Sequence, residues 1–208
     1  MSVATSAGTC SLCTDEIETI HDPSVCLNSE RSFHNLILLI GNGPSGDTPA
    51  VAEAIKMASR VLRMNNWQPG RHTGDRCDIW GTSFNVDIAA RSPGAYEIWW
   101  TGWPYGRCKE CYSDVLARQT NRYTRVASRS LITKAFSRTK KEPSTGIILA
   151  LMAATEVGDT VCLAGYDHFL GPQHHSWTSD PAICDPLEFH DPESERVILA
   201  GIGAKIIS

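Results

Sequence analysis

The stretch Ile37-Leu38-Leu39-Ile40, followed at once by Gly41-Asn42-Gly43-Pro44-Ser45-Gly46, constrains the fold more than any other part of the chain. An aliphatic run without polar alternation reads as a strand covered on both faces, which implies a mostly parallel sheet flanked by helices. The ends of strands in such sheets are where ligands settle. Gly41, Gly43 and Gly46 permit a sharp turn and a close backbone approach. Asn42 and Ser45 bring hydrogen-bonding groups to the start of a helix expected from residue 49, whose free N–H groups suit an anion. Neither the dinucleotide fingerprint nor a Walker A spacing is present, so a phosphate loop and a purely structural turn both stay open.

The rest of the pattern alternates. Strands are expected in "LILLIG", "RVLRMN", "CDIWGTSF", "YEIWWTG", "SLIT", "TVCLAGY" and "AKIIS", and helices over 49–60, 110–118, "STGIILALMAATEV" and 192–200. The fold class is therefore α/β, a Rossmann-like, mostly parallel sheet flanked by helices. A chain of 208 residues, 42% hydrophobic and 20% charged, suits one well-buried domain. We place an N-terminal extension at 1–33 and a single domain at 34–208.

Charge and hydropathy exclude several partners. The net charge is −4 and the basic residues of 118-RQTNRYTRVASRS are diluted by polar ones, which argues against nucleic acid. The apolar stretch 146-GIILALMAA is half what a bilayer requires, and the N-terminus lacks the pattern of a signal peptide. A soluble, cytoplasmic protein is expected. Its eight cysteines then need an explanation in a reducing compartment. Cys10 with Cys13, and Cys108 with Cys111, form two CxxC pairs that could build a structural zinc site pinning the N-terminus. The alternative is ordinary thiols, the reading given to Cys26, Cys77, Cys162 and Cys184.

Two further stretches carry chemistry. In 143-PSTGIILALMAATEVGD, Pro143 with Ser144 or Thr145 starts a helix that is apolar on nearly every side, and Gly158 ends it. Ser144, Thr145 and Gly146 set hydroxyls and unshielded backbone at its positive end, as the 41–46 loop does elsewhere. In 174-HHSWTSDPAICDPLEFHDPESERVIL, three of the seven histidines fall within 17 residues. His190 precedes a helix that Asp191 can cap and Pro192 can open. Glu195 could hold its imidazole in the tautomer a base requires, or the acids merely favour the helix dipole. Trp99, Trp100 and Trp103 read as a sugar-stacking platform or as core. Arg63 reads as a strand anchor or a phosphate contact.

These stretches together resemble the four sialyl motifs of the animal-type sialyltransferases, in the same order along the chain. "LLIGNGPS" through "VLRMN" looks like the large motif, with Asn42 and Asn65 at its nucleotide-contacting asparagines. "PSTGIILALMAATEVGDTVCLAGYDHF" is similar to the small motif, with Ser144, Thr145 and Gly146 as a cytidine-monophosphate (CMP) cradle and Gly165-Tyr166 at its Gly-aromatic pair. "HHSW" is similar to the third, placing His175 at the phosphate-contacting histidine. "HDPESE" matches the last, placing His190 at the general base with Glu195 as its partner. The opening "GNGPS" is also similar to bacterial sialyltransferases. The positions of the disulfide that joins the large and small motifs in the animal enzymes read Ile37 and Val157 here. The tyrosine after the third-motif histidine is Ser176, and the acceptor-binding region is short.

The resemblance implies a sialyltransferase-like GT-A variant that uses a CMP-linked donor and a hydroxyl acceptor, inverts configuration and needs no catalytic metal. Cofactor-binding positions would be Gly41, Asn42, Gly43, Ser45, Asn65, Ser144, Thr145, Gly146, Gly165 and Tyr166. Alternatives are another CMP-sugar, hydrolysis of a cytidine nucleotide, or a non-enzymatic CMP sensor.

Overall fold

The computed structural model describes residues 19–20, 36–83, 97–101, 123–167 and 190–207. These residues form an eight-stranded sheet: β1 (Thr19–Ile20), β2 (Leu36–Ile40), β3 (Arg60–Met64), β4 (Ile79–Thr82), β5 (Glu97–Trp100), β6 (Tyr123–Val126), β7 (Thr160–Ala164) and β8 (Lys205–Ile207). The spatial order is β1-β8-β7-β2-β3-β4-β5-β6. Every pairing is parallel. From β2 the chain builds outward to β6 on one side, then returns to place β7 and β8 on the other. The topological switch therefore lies between β2 and β7, paired from Leu36↔Thr160 to Ile40↔Ala164.

All five residues of β2 are buried because both faces of the sheet are covered. Leu36, Leu38 and Ile40 pack with Val51, Ala54 and Ile55 of α1 (Pro49–Met57). Ile37 and Leu39 face the opposite layer, built by α2 (Arg129–Arg138), α3 (Thr145–Leu151) and α4 (Pro192–Gly201). α3 is buried all round, and it widens into a π-helical turn, Met152–Val157, before Gly158 ends it at φ +80°. It lies close on the sheet: a Cβ at Gly81 would stand 2.4 Å from Leu149 Cδ1. Ile37 and Val157, which stand at the disulfide positions of the resemblance, both join this apolar layer.

The expected helix starts hold. Thr48 caps α1 by accepting from Val51 N (3.3 Å) with Pro49 in the first turn, and Asp191 caps α4 with Pro192 likewise. "SLIT" is corrected: it is not a strand but the first half of α2. Ser128 accepts from Leu131 N (3.2 Å) as N-cap, and Leu131, Ile132 and Ala135 bury one helical face. Strand β6, which the basic stretch at 118–130 concealed, completes the sheet edge. Thr19–Ile20, within the expected extension, pairs with β8.

Trp99 and Trp100 are core, 0% and 6% exposed. Trp99 lies beneath Arg60 and Arg125, with its Nε1 donating to Glu97 (2.6 Å). Trp103 lies outside the described residues. Cys162 is buried in β7 and Cys77 is half-buried, both as free thiols. No helix among the described residues is long and apolar enough to cross a membrane.

Candidate active site

The carboxyl ends of β2 and β7 carry the two glycine loops, and they meet backbone to backbone. Gly41 N donates to Ala164 O (2.7 Å) and Gly43 N to Gly165 O (3.0 Å). Gly165 adopts φ +66°, and a Cβ at Gly41 would stand 2.4 Å from its carbonyl oxygen. These glycines thus have a reason inside the fold, because only bare backbone lets the loops close on each other. Ser45, in the 3-10 turn Pro44–Gly46, donates its N–H to Asp167 Oδ2 (3.1 Å) and its hydroxyl to Asp167 Oδ1.

The asparagines sit one strand over. Asn42 Nδ2 reaches Met64 O (3.4 Å), the last carbonyl of β3, so Asn42 and Asn65 stand side by side at the strand ends. Asn65 takes the left-handed conformation, φ 49°, which asparagine tolerates better than most side chains. Its carbonyl accepts from Trp80 Nε1 (3.0 Å) and its side-chain oxygen from Ser83 N (3.4 Å).

The second entrance is the start of α3. Ser144 Oγ accepts from Ile147 N (3.4 Å) as N-cap, and Thr145 is the first helical residue. Tyr166 ties this entrance to the first. Its hydroxyl donates to Gly146 O (3.2 Å), and its ring fills the space beside two glycines. A Cβ at Gly146 would be 2.9 Å from ring Cε1, and one at Gly41 would be 3.2 Å from Cδ2. The two glycine-bearing entrances therefore converge on the Tyr166 ring. Burial, with Glu195 nearby, pushes the phenol well above its usual range.

Glu195 joins α4 to α3. One oxygen accepts from Ser144 N (2.7 Å) and the other from Ser144 Oγ (3.0 Å), a carboxylate at the positive end of a helix. It is 3% exposed. Burial raises its pKa, against the Ser144 hydrogen bonds and the charge of His190, which favour the ionised form. His190 meets Glu142 rather than a carboxylate at its Nδ1, 2.8 Å from that residue's carbonyl oxygen. A carbonyl only accepts, so Nδ1 carries the proton, which leaves the lone pair of the neutral ring on Nε2. Glu195 acts on the ring through its charge, while the described contact that fixes the tautomer is the Glu142 carbonyl.

Asp47, beside the site, escaped the sequence reading. It accepts from Arg71 N (2.8 Å), His72 N (2.9 Å), Thr73 N (3.0 Å) and Thr73 Oγ1 (3.2 Å). Burial opposes its ionisation, but these donors outweigh it and hold the carboxyl below its usual range. Buried Arg63 grips the same loop through Arg76 O, Thr73 O and Gly74 O (2.8, 2.8 and 3.1 Å) and stacks on Trp67. This is the strand-anchor reading of Arg63. An Asp at the end of a Gly-rich loop was the available signal for Asp47; its partners lie 24–26 residues away.

His175 and the zinc candidates Cys10, Cys13, Cys108 and Cys111 lie outside the described residues. Among the described residues, no group of three or more His, Cys, Asp or Glu side chains could hold a metal ion.

A doubly wound parallel sheet with two glycine-lined entrances at its switch point defines a Rossmann-like α/β protein, a fold whose ligands settle at the carboxyl edge. Its fold is that of the mammalian sialyltransferases. A mammalian sialyltransferase in complex with Gal-beta-1-3GalNAc-ortho-nitrophenol matches with TM-score 0.58 at 18% identity, over 83% of this chain and 69% of that one. A second mammalian sialyltransferase structure gives TM-score 0.57 at 18% identity, over 88% and 72%. The sialyltransferase CstII from Campylobacter jejuni matches more loosely, with TM-score 0.42 at 14% identity, over 74% and 76%. No family model matches the sequence, and no curated protein does.

Proposed function

We propose that this chain is an inverting sialyltransferase, taking an acidic sugar from CMP-sialic acid and passing it to a hydroxyl acceptor without a catalytic metal. The observation that carries the reading is the convergence of both glycine entrances on Tyr166, with His190 held by Glu142 at the adjoining start of α4. The sialyltransferase fold supports it.

In this reading Asn42, Asn65 and the backbone of residues 144–146 receive the nucleotide, and His175 meets its phosphate. The leaving group carries one phosphate, whose charge N–H and imidazole donors can balance. The sequence also has no Asp-x-Asp. As the bond from the anomeric carbon to the phosphate oxygen breaks, the acceptor oxygen attacks from the opposite face. Its proton passes to His190 Nε2, and Nδ1–H stays on the Glu142 carbonyl. Glu195 steadies the resulting imidazolium by its charge.

The test is incubation with CMP-sialic acid and other CMP-sugars, with a chelator present. The acceptor panel is headed by Gal-beta-1-3GalNAc glycosides, and CMP release and new glycosides are read by mass spectrometry. A sialylated product formed only with acceptor is expected. CMP release without a glycoside would indicate hydrolysis, and no turnover would favour a binding protein. His190→Ala is expected to lower transfer by about 10²–10⁴-fold while CMP affinity changes less than about threefold. Retained turnover would remove His190 from the base position.

A further inference from the structure

The carboxylates around the crevice are used differently. Asp47 accepts four hydrogen bonds and is committed to its loop. Glu195 is buried, with both oxygens on Ser144. Asp167 is half-buried at the carboxyl end of β7, beside the switch point. Among the described residues it accepts two hydrogen bonds, one on each oxygen, both from Ser45. An ionised carboxylate has about four acceptor sites, so each oxygen keeps one more. Asp167 Oδ2 packs directly on Gly43, where a Cβ would stand 2.2 Å from it, so the glycine is what admits the carboxylate beside the loop.

This arrangement changes what the first glycine loop can hold. Asp167 occupies the Ser45 donors that a phosphate would need, and its negative charge repels one. A neutral partner with paired hydroxyl donors suits it better, because a vicinal diol matches the two oxygens of a carboxylate, as acidic residues match ribose in other doubly wound sheets.

We propose that Asp167 accepts the ribose 2′- and 3′-hydroxyls of the bound nucleotide and so selects ribonucleotides over deoxyribonucleotides, with Ser45 positioning the carboxylate rather than gripping phosphate. The proposal rests on the cytidine-nucleotide reading above, and it puts the phosphate towards the second entrance.

Calorimetric titration of the full chain with CMP and with 2′-deoxy-CMP tests it. The wild type is expected to bind CMP about 10- to 100-fold more tightly, the scale of a hydrogen bond to a charged group. Asp167→Ala and the closer mimic Asp167→Asn should bring CMP to within about threefold of 2′-deoxy-CMP, which keeps its 3′-hydroxyl and so should itself weaken, though by a smaller factor than CMP. Ser45→Ala removes the hydroxyl that holds Asp167 Oδ1, so it should weaken CMP more than 2′-deoxy-CMP and narrow their ratio, by less than Asp167→Asn does. Equal binding of the two nucleotides by the wild type, or an equal loss of both in folded Asp167→Asn, would overturn the role of Asp167 and leave the nucleotide reading standing. If neither nucleotide binds the wild type, the reading and this proposal fall together.

Discussion

Gly41 and Gly146 bracket diagonal atoms of the Tyr166 ring, and the two contacts differ in how far they can yield. At Gly146 a methyl group would press on an aromatic side chain. At Gly41 it would press on the Gly165 carbonyl, which is held just beyond the β2–β7 ladder by Gly43 N (3.0 Å). Gly41→Ala is therefore expected to destabilise the fold by about 1–3 kcal/mol, checked by chemical denaturation. A change below about 0.5 kcal/mol would show that the two loops separate freely. The sequence displayed the 41–46 glycines but left a bound ligand and a structural turn both open as their reason, where the structure packs the two loops on each other. It hid the Glu142 carbonyl altogether, because every residue carries that group and only tertiary placement sets it beside an imidazole.

At the scale of elements, α2 and β6 show how local pattern misleads. Leu131, Ile132 and Thr133 include two β-branched residues and read as a strand, yet the cap at Ser128 and the burial of Ala135 four residues after Leu131 belong to a helix. Tyr123–Val126 reads as polar surface because an edge strand is covered by fewer neighbours. Glu195 is an element-scale feature, locking α4 onto α3 through Ser144. Its pKa is raised in the folded state, so the native protein holds its proton at higher pH than the unfolded chain does. Its contribution to stability therefore falls as pH rises above the ordinary 4.5 and through the raised value. Glu195→Gln removes that titration. The melting temperature of the wild type minus that of Glu195→Gln should accordingly decline between pH 4 and the raised value, then level off. Asp47 and Asp191, whose lowered pKa values make stability fall as pH drops, are present in both proteins and cancel. A difference that is flat or rises with pH would contradict the buried carboxylate.

For the whole molecule, the switch point lies at the carboxyl ends of the paired strands β2 and β7, so a ligand held there contacts both halves of the sheet. A nucleotide that binds only the folded chain stabilises it by mass action, about 2.7 kcal/mol at a concentration 100 times Kd. For a chain of this size that is an upward shift of roughly 5–10 °C in Tm, read by a thermal melt with CMP against uridine monophosphate. Equal shifts with both would mean the site does not read the base.

The sequence by itself determined the α/β class, most strands and helices, the cap at Asp191, the helix start at Ser144 or Thr145, and the residue types gathered at the carboxyl edge. These follow from periodicity and capping chemistry, which act over a few residues. Only the tertiary structure decided the strand order, the meeting of the two glycine loops on Tyr166, and the partners of Asp47, Asp167, Glu195 and His190. The partners of these last four residues lie from 24 to 122 residues away along the chain. Local propensity carries no information at that range; packing both faces of one parallel sheet brings them together.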